Sequence, residues 1–135
     1  MIRTVMSEIA SRLVAIENCR TSGNTEWLRK HERTLRAIVG TFLPSGSGFD
    51  NGTKIDMGLS TDRCLTFHTS FHHMDENGGY AGWTDHTVRV RATFLGPDIT
   101  IGGRNRNDIK DYIAEVFSAA LSETVSDDFL IKAIA

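Results

Sequence analysis

The sequence predicts an α+β fold: an N-terminal helical hairpin, then an antiparallel β-meander of about four strands, with a C-terminal helix packed on the sheet. Two observations support this class. Apolar residues recur at helical spacing in the first third of the chain and again after residue 107, whereas the middle third alternates apolar and polar residues. A chain of 135 residues with one such succession of elements is most simply one domain, so residues 1–135 are assigned to a single α+β domain.

The N-terminal third is predicted to form two helices joined by a short turn. The apolar residues of 2–19 fall on one helical face. Asn24 or Thr25 can cap the second helix, and Pro44 ends it because proline disfavours helix in the residue before it. A short connection between two helices makes an antiparallel hairpin. The residues expected in the core on its inner face include Met6, Leu13, Trp27 and Leu35.

The middle of the chain is predicted to form strands separated by turns. Residues 45–52 are polar and rich in glycine, which is typical of a loop between helices and sheet. Pro97 interrupts the end of this region. Because turns join successive strands, we expect an antiparallel sheet with one polar face. The strands are predicted at residues 53–59, 64–73, 83–94 and 99–101.

Two helices are predicted to close the chain. Asn105 or Asn107 can cap a long helix whose apolar stripe begins at Ile109, so we expect this helix to lie across the sheet. Residues 129–134 are predicted to form a short helix that is strongly apolar for a chain end. Such a tail needs a partner surface, which is either the protein's own core or another subunit.

Charge and cysteine content exclude several classes of protein. The net charge is −2, so no overall basic field attracts a nucleic acid polymer or a membrane surface. Cys19 and Cys64 are far apart and lack metal-ligand spacing, which indicates free thiols in a reducing cytoplasm. The sequence shows no signal peptide and no apolar run long enough to span a bilayer. No cofactor is expected.

Four of the five histidines lie within residues 67–86, which raises the question of a metal site. His68 and His72 share one strand face, but four residues of strand separate them by roughly 13 Å, too far to share an ion. His73 points to the opposite face. Some strand registers would bring His72 together with His86 and Asp75. We predict no metal, because histidines on a wetted face or in hydrogen bonds need none.

Catalytic motifs are weak in this sequence. His68 and Ser70 match the His-x-Ser/Thr motif of two-histidine phosphoesterases, but Val88 replaces the hydroxyl residue that should follow His86. The sequence has no Gly-x-Ser-x-Gly nucleophile elbow and no visible acid–base pair at an enforced spacing. We therefore predict no catalytic residues and a protein that is not an enzyme, with a phosphoesterase as the alternative.

The polar sheet face and the loop that follows it are the best candidates for a ligand site. Arg89 and Arg91 alternate with threonines on one strand, and Arg104 and Arg106 follow a Gly-Gly pair before a helix, where free backbone N–H groups bind anions. The alternative is a solvated sheet face, together with a helix start in which Arg104 and Arg106 pair with acidic residues of the first turn. The predicted ligand-binding residues are Phe71, His72, Asn77, Trp83, Arg89, Arg91, Arg104, Asn105 and Arg106.

Several segments together resemble a family of small bacteriophage proteins, the type-one Thoeris anti-defence sponges. Behind two helices, the chain reads in order LPSGSGFDNGT, FHHMDENG, WTDH and GRNRNDI, and the resemblance runs over about residues 8–121. It implies a protein that sequesters cyclic ADP-ribose isomers, made by TIR-domain immune enzymes, without cleaving them. Some members of the family also hold cyclic oligonucleotides at a separate site within a hexamer.

The resemblance leads to expectations about partners and location. We expect a cyclic ADP-ribose-type or cyclic oligonucleotide ligand, self-association as a dimer or hexamer, and action in the host cell cytoplasm. Neither a nucleic acid polymer nor a membrane is expected as a partner. Two alternatives stay open: an enzyme of the phosphoesterase or lyase type that consumes such a signal, and a small phage structural or assembly protein.

Overall fold

The computed structural model of the chain describes residues 3–45, 48–104 and 106–134. The predicted α+β fold is confirmed: a helical hairpin, an antiparallel meander and a C-terminal helix on the sheet. Among the described residues, no helix is long and apolar enough to cross a membrane. The elements are α1 (Val5–Ser22), α2 (Thr25–Phe42), β1 (Phe49–Ile55), β2 (Leu65–Met74), β3 (Tyr80–Thr93), β4 (Gly96–Ile101), α3 (Asn107–Leu121) and α4 (Asp127–Ile134).

Side-chain caps and one glycine define the ends of the helical hairpin. The Thr4 side chain accepts a hydrogen bond from Ser7 N at 3.1 Å, and the Ser7 hydroxyl closes a reciprocal capping box. Gly23 ends α1 in the left-handed conformation, with φ of 73°. The predicted Asn24 cap of α2 is confirmed, because its side chain accepts from Trp27 N at 3.2 Å. Residue 2, where the first helix was predicted to begin, lies outside the described residues.

The sheet has the strand order β1-β2-β3-β4, and every neighbouring pair is antiparallel. Phe67 lies opposite Ile55 on β1 and Val88 on β3, so apolar residues meet on one face across three strands. A bulge on β1 between Asp50 and Thr53 shifts the pairing of its first residues with β2.

The hydrophobic core lies between this apolar sheet face and the helices. Phe67 and Phe117 are both fully buried, and their ring centroids lie 4.9 Å apart, which joins β2 to α3. Phe49 packs edge to face against Phe117 at 5.9 Å. The other fully buried apolar residues, drawn from α1, α2, α3 and the central strands, include Val5, Ile9, Leu35, Ile38, Leu65, Val88, Val90, Ile113 and Leu121.

Three strands differ from the prediction by more than one residue. β3 begins at Tyr80 instead of residue 83, where it pairs with Met74 of β2. The first strand runs over Phe49–Ile55 instead of 53–59, because the polar 45–52 segment contains Phe49, which is buried against the core. After the strand, Asp56 forms a turn in which its carboxylate accepts from Leu59 N at 3.1 Å. The last strand, predicted at 99–101, begins at Gly96 and includes Pro97 opposite Ala92. Pro97 is tolerated because β4 is an edge strand.

Apolar side chains at the start of α2 and at the C-terminal tail differ in how they are covered. Trp27, predicted as core, is 46% exposed and instead packs under the Lys30 ammonium group, whose nitrogen lies 4.6 Å from its ring centroid. The C-terminal tail finds its partner within the same chain. Leu130 is buried, and the Phe129 ring meets Phe42 of α2 edge to face at 5.1 Å.

A polar seam joins α1 to α2. Arg12 lies 3.8 Å from the buried carboxylate of Glu8, and its other Nη donates to His31 Nδ1 at 3.0 Å. Burial first, and the Arg12 guanidinium second, hold the pKa of the His31 imidazole below its usual range. The seam therefore needs a neutral His31.

The aromatic contact between β2 and α3 should dominate the stability of the fold. Phe117→Ala is expected to lower the free energy of unfolding by about 3–5 kcal/mol, because it leaves a cavity against Phe67. Phe94→Ala makes the same change at a fully exposed position and should cost less than about 0.5 kcal/mol. Urea unfolding followed by circular dichroism measures both values, and equal losses would contradict this packing.

Acidification should weaken the helical seam. An unfolded chain protonates His31 at its ordinary pKa of about 6.5, whereas the folded chain resists protonation until a lower pH. The seam's contribution to stability is therefore complete above about pH 6.5, the pKa of His31 in the unfolded chain, and declines as the pH falls below that value. His31→Gln can still accept from Arg12 but does not titrate, so the stability advantage of the wild type over this variant should shrink from pH 7 to pH 5. A constant difference in urea unfolding over that range would contradict the assignment.

Candidate functional site

The helices pack on one face of the sheet, and the opposite face carries polar side chains. We call this second surface the open face, and define it by the alternate residues of β2 and β3 that point away from Phe67 and Val88. Along these strands, side chains are buried on the apolar face and mostly accessible on the open face. Its central residues are His68, Ser70, Asp85, Thr87 and Arg89.

A shallow cavity of about 330 Å³ lies on the open face. Glycines at its two rims, Gly52 and Gly103, keep the edges low. This volume is at the lower end of the range of small-molecule sites. The polar residues that line it are Lys54, His68, Thr69, Ser70, Asp85, His86 and Thr87, of which Thr69 and His86 are buried and have side chains that alternate to the apolar face.

Two of these residues, His68 and Thr87, form a hydrogen-bonded relay with Asp56, which follows the end of β1. His68 Nε2 donates to Asp56 Oδ2 at 2.9 Å, which leaves Nδ1 as the acceptor for the Thr87 hydroxyl at 3.2 Å. The hydrogen bond from His68 is the main reason that the pKa of the Asp56 carboxyl lies below its usual range, and the Leu59 N–H adds to the effect. Asp56 therefore stays ionised and fixes the tautomer and orientation of His68.

A second pair stands beside the relay. Ser70 lies opposite Asp85 in the β2–β3 register, and its hydroxyl donates to Asp85 Oδ1 at 2.5 Å. The hydroxyl proton of Ser70 is thus directed to the carboxylate, and the two side chains hold each other in place.

On the opposite face, a chain of hydrogen bonds ties the loop after β4 to the sheet. His86 is 1% exposed; its Nδ1 donates to Gly102 O at 3.0 Å and its Nε2 accepts from the Thr84 hydroxyl at 2.8 Å. His73 Nε2 in turn donates to the Thr84 oxygen at 2.9 Å. These contacts account for the polar atoms of a buried imidazole and attach the loop at Gly102 to β3.

Gly103 brings the arginine-bearing loop into direct contact with β3. Its φ is 105°, and a Cβ there would lie 2.6 Å from Asp85 O and 3.0 Å from His86 Nδ1. The exposed Arg104 follows immediately in the chain. Arg106 precedes the first turn of α3, where its Nε lies 3.3 Å from Asp108 Oδ1. The predicted cap by Asn105 or Asn107 is wrong, because the N-cap of α3 is Arg106 and makes no side-chain capping hydrogen bond. Residue 105 lies outside the described residues, so the predicted ligand contact of Asn105 stays a prediction.

The structure separates the predicted ligand residues into several places. His72 and Trp83 are paired in register on the open face, and Arg89 and Arg91 lie on the same face further along β3. Phe71 lies on the apolar face, where its ring meets Tyr112 at 5.7 Å. Asn77, another of the predicted ligand residues, lies at the tip of the β2–β3 hairpin.

Arg91 has a partner of its own. Its Nη2 lies 3.2 Å from Asp98 Oδ2 on β4, and both side chains are exposed. Arg89 and Lys54, in contrast, form no ion pair with any residue in the described ranges. Of the predicted strand arginines, Arg89 is therefore the better placed to meet a ligand anion.

Sequence reasoning missed the centre of the cavity. The polar side of β2 was recognised, but only the register shows that His68 lies beside Thr87 and that Ser70 lies opposite Asp85. The alternation of polar residues on both strands was the available signal. The missed residues are Lys54, Asp56, His68, Ser70, Asp85 and Thr87.

The histidines lie on both faces of the sheet. His72 is on the open face and the buried His86 is on the apolar face, so the register does not bring this predicted alternative set together. Within residues 3–45, 48–104 and 106–134, no three His, Cys, Asp or Glu side chains form a group that could hold a metal ion.

Comparisons of the chain with protein-family models, with curated proteins and with solved structures found no match.

The contact at Gly103 should be specific for glycine. Gly103→Ala is expected to lower the free energy of unfolding by at least about 1 kcal/mol more than Gly78→Ala. Gly78 also has a positive φ, of 79°, but its Cβ would meet no atom within 4 Å, so it controls for backbone strain alone. Urea unfolding of the two variants gives the comparison. Equal losses would mean that the loop can leave β3 without cost.

Proposed function

We propose that this protein is a phage anti-defence sponge that binds a cyclic nucleotide immune signal of the cyclic ADP-ribose type in the host cell cytoplasm and leaves it intact. The observation that carries the proposal is the cavity on the open face, which combines polar side chains with Lys54. Arg89 lies outside the lining, two residues after Thr87 on the same face, and neither cation has an ion-pair partner in the described part of the chain. A nucleotide offers the matching groups: phosphates, ribose hydroxyls and a flat base.

The base has an aromatic surface to stack on. Trp83 is 61% exposed on the open face, and the similarly exposed Tyr80 lies nearby with its ring 5.3 Å from that of His72. These exposed rings offer flat apolar surface on which a base can stack. Stacking on such rings contributes about 1–3 kcal/mol per base in proteins that bind single-stranded nucleic acids.

Three cations are available to phosphates in and around the cavity. Lys54 of β1 lines it, Arg89 follows two residues after Thr87 on β3, and Arg104 follows the lining residue Gly103 in the loop after β4. The N-terminus of α3 adds free backbone N–H groups next to this loop, although Asp108 takes part of the charge of Arg106. A diphosphate brings enough negative charge to compete with a single exposed carboxylate.

An enzyme that cleaves the signal is the second candidate, and one observation favours it. The relay of Asp56, His68 and Thr87 has the hydroxyl–imidazole–carboxylate order of a general-base system. The two-histidine phosphoesterase mechanism does not fit, because His68 lies on the open face and His86 on the apolar face. The two histidines cannot act on one phosphate from the same side.

Self-association belongs to the proposal, because one chain leaves the cavity open to solvent. A site that retains its ligand usually covers most of the ligand surface, which a shallow cavity on one sheet face does not do. Phe94 and Leu95 are fully exposed at the β3–β4 turn and offer an apolar surface for a second copy. Assembly as a dimer or hexamer would therefore serve both surfaces.

The sponge and the enzyme differ in what they release. Purified protein is incubated with a cyclic ADP-ribose isomer, passed through a desalting column and heated, and the released molecule is identified by mass spectrometry. Intact cyclic ligand in a molar amount close to that of the protein is the expected result. Recovery of linear ADP-ribose would establish cleavage, and an empty protein would refute binding.

Arginines of the loop should carry much of the affinity. Removing both, as Arg104→Ala with Arg106→Ala, is expected to weaken binding of a cyclic ADP-ribose isomer by at least about a hundredfold, near 3 kcal/mol. The control is Arg29→Ala with Arg33→Ala, which removes the same charge from exposed positions on α2. Isothermal titration calorimetry in EDTA measures both, and EDTA itself should not change the wild-type affinity. A folded loop variant with wild-type affinity would place the phosphate contacts elsewhere.

A further inference from the structure

The side chains of His68, Ser70, Asp85 and Thr87 form what we call the floor of the cavity. Their polar hydrogen atoms already take part in hydrogen bonds within the protein. His68 Nε2 donates to Asp56, and the Thr87 hydroxyl donates to His68 Nδ1. The Ser70 hydroxyl donates to Asp85 Oδ1. Because each hydroxyl has a single proton, neither Ser70 nor Thr87 can donate to a ligand without breaking one of these bonds.

What remains on the floor is a set of acceptors. An ionised Asp85 has about four lone-pair positions, of which Ser70 uses one, and the hydroxyl oxygens of Ser70 and Thr87 keep lone pairs of their own. Asp85 and Thr87 are alternate residues on one strand, so their side chains stand about 7 Å apart, and Ser70 faces Asp85 across the sheet. A ligand that fits this floor must bring hydrogen-bond donors.

The charges around the floor decide what kind of donor this is. Lys54 lines the cavity beside the acceptors, Arg89 follows two residues after Thr87 on the same face of β3, and the Asp56 carboxylate is engaged with His68. These two positive groups would repel a cationic ligand, whereas they would not repel neutral hydroxyl groups. Phosphates carried by the same molecule would be attracted to the flanking cations.

We propose that Asp85, with Ser70 and Thr87, binds the vicinal hydroxyl groups of a ribose ring, while Lys54 and Arg89 meet the attached phosphates. A carboxylate accepts both hydroxyls of a cis-diol through its two oxygens, as acidic side chains do for ribose in dinucleotide-binding folds. The inference rests on the proposed function for the nucleotide nature of the ligand. It adds that the ribose, and not only the phosphates, is recognised on the sheet floor.

The experiment compares a nucleotide with its counterpart that lacks the diol. The dissociation constants of ADP and 2′,3′-dideoxy-ADP are measured by calorimetry for the wild type, Asp85→Asn and Asp98→Asn. Asp98 is exposed on β4 beside Arg91 and outside the cavity, so its variant reproduces the loss of one negative charge on this sheet. The ratio of the two dissociation constants in each protein cancels the general effect of charge on phosphate affinity.

The wild type and Asp98→Asn should both prefer ADP by at least about tenfold, as expected for hydrogen bonds to a charged acceptor. In Asp85→Asn an amide NH₂ replaces one acceptor oxygen, so the preference should fall to about one- to threefold. A wild-type ratio near one, or an unchanged ratio in a folded Asp85→Asn, overturns the proposal. If Asp85→Asn does not fold, Ser70→Ala takes its place, and an unchanged ratio there has the same consequence.

The outcomes separate this inference from the function itself. Retention of cyclic ADP-ribose together with equal affinities for ADP and dideoxy-ADP would support the sponge function and contradict the ribose site. A preference for ADP that depends on Asp85, without retention of cyclic ADP-ribose, would support the ribose site and contradict the sponge function. Absence of binding to either form of ADP also counts against the ribose site.

Discussion

The register between β2 and β3 is the constraint on which the rest of the structure depends. It sets Phe67 opposite Val88 on the apolar face and, one residue away, His68 opposite Thr87 on the open face. Side chains alternate along a strand, so a slip of one residue would move the core residues into water and the polar residues under the helices. Burial of Phe67 against Phe117 therefore fixes the position of every group in the cavity as well.

Periodicity in the sequence was sufficient to predict the class and order of the elements, but less so their ends. Helical and alternating patterns reflect which residues are buried, and burial decided the fold. The start of β1 was missed because Phe49 is a single apolar residue in a glycine-rich segment, and its burial depends on distant rings of Phe71 and Phe117. Trp27 was misplaced for the opposite reason: it has helical spacing, but lies at the first turn of α2, where no element covers it.

The candidate site was only partly predictable because its parts meet through long-range pairing. Residues of one strand, such as Arg89 and Arg91, can be grouped by alternation alone. The relay joins Asp56, His68 and Thr87 from the end of β1, from β2 and from β3, and nothing local indicates that these three meet. The arginine loop was recognised from Gly102 and Gly103, but its attachment to β3 through the buried His86 requires the fold.

The same count of donors and acceptors bears on catalysis. A hydrolytic relay needs hydrogen-bond donors aimed at the oxyanion that develops when the hydroxyl attacks. Beside Thr87, the described floor residues Ser70 and Asp85 present acceptors, and Asp85 adds a negative charge close to where an oxyanion would form. These groups would raise the energy of such an intermediate, whereas they complement the hydroxyls of an unreacted ribose. The geometry of the relay orients Thr87 and His68, and the acceptors beside it support the proposal that the site holds a nucleotide without cleaving it.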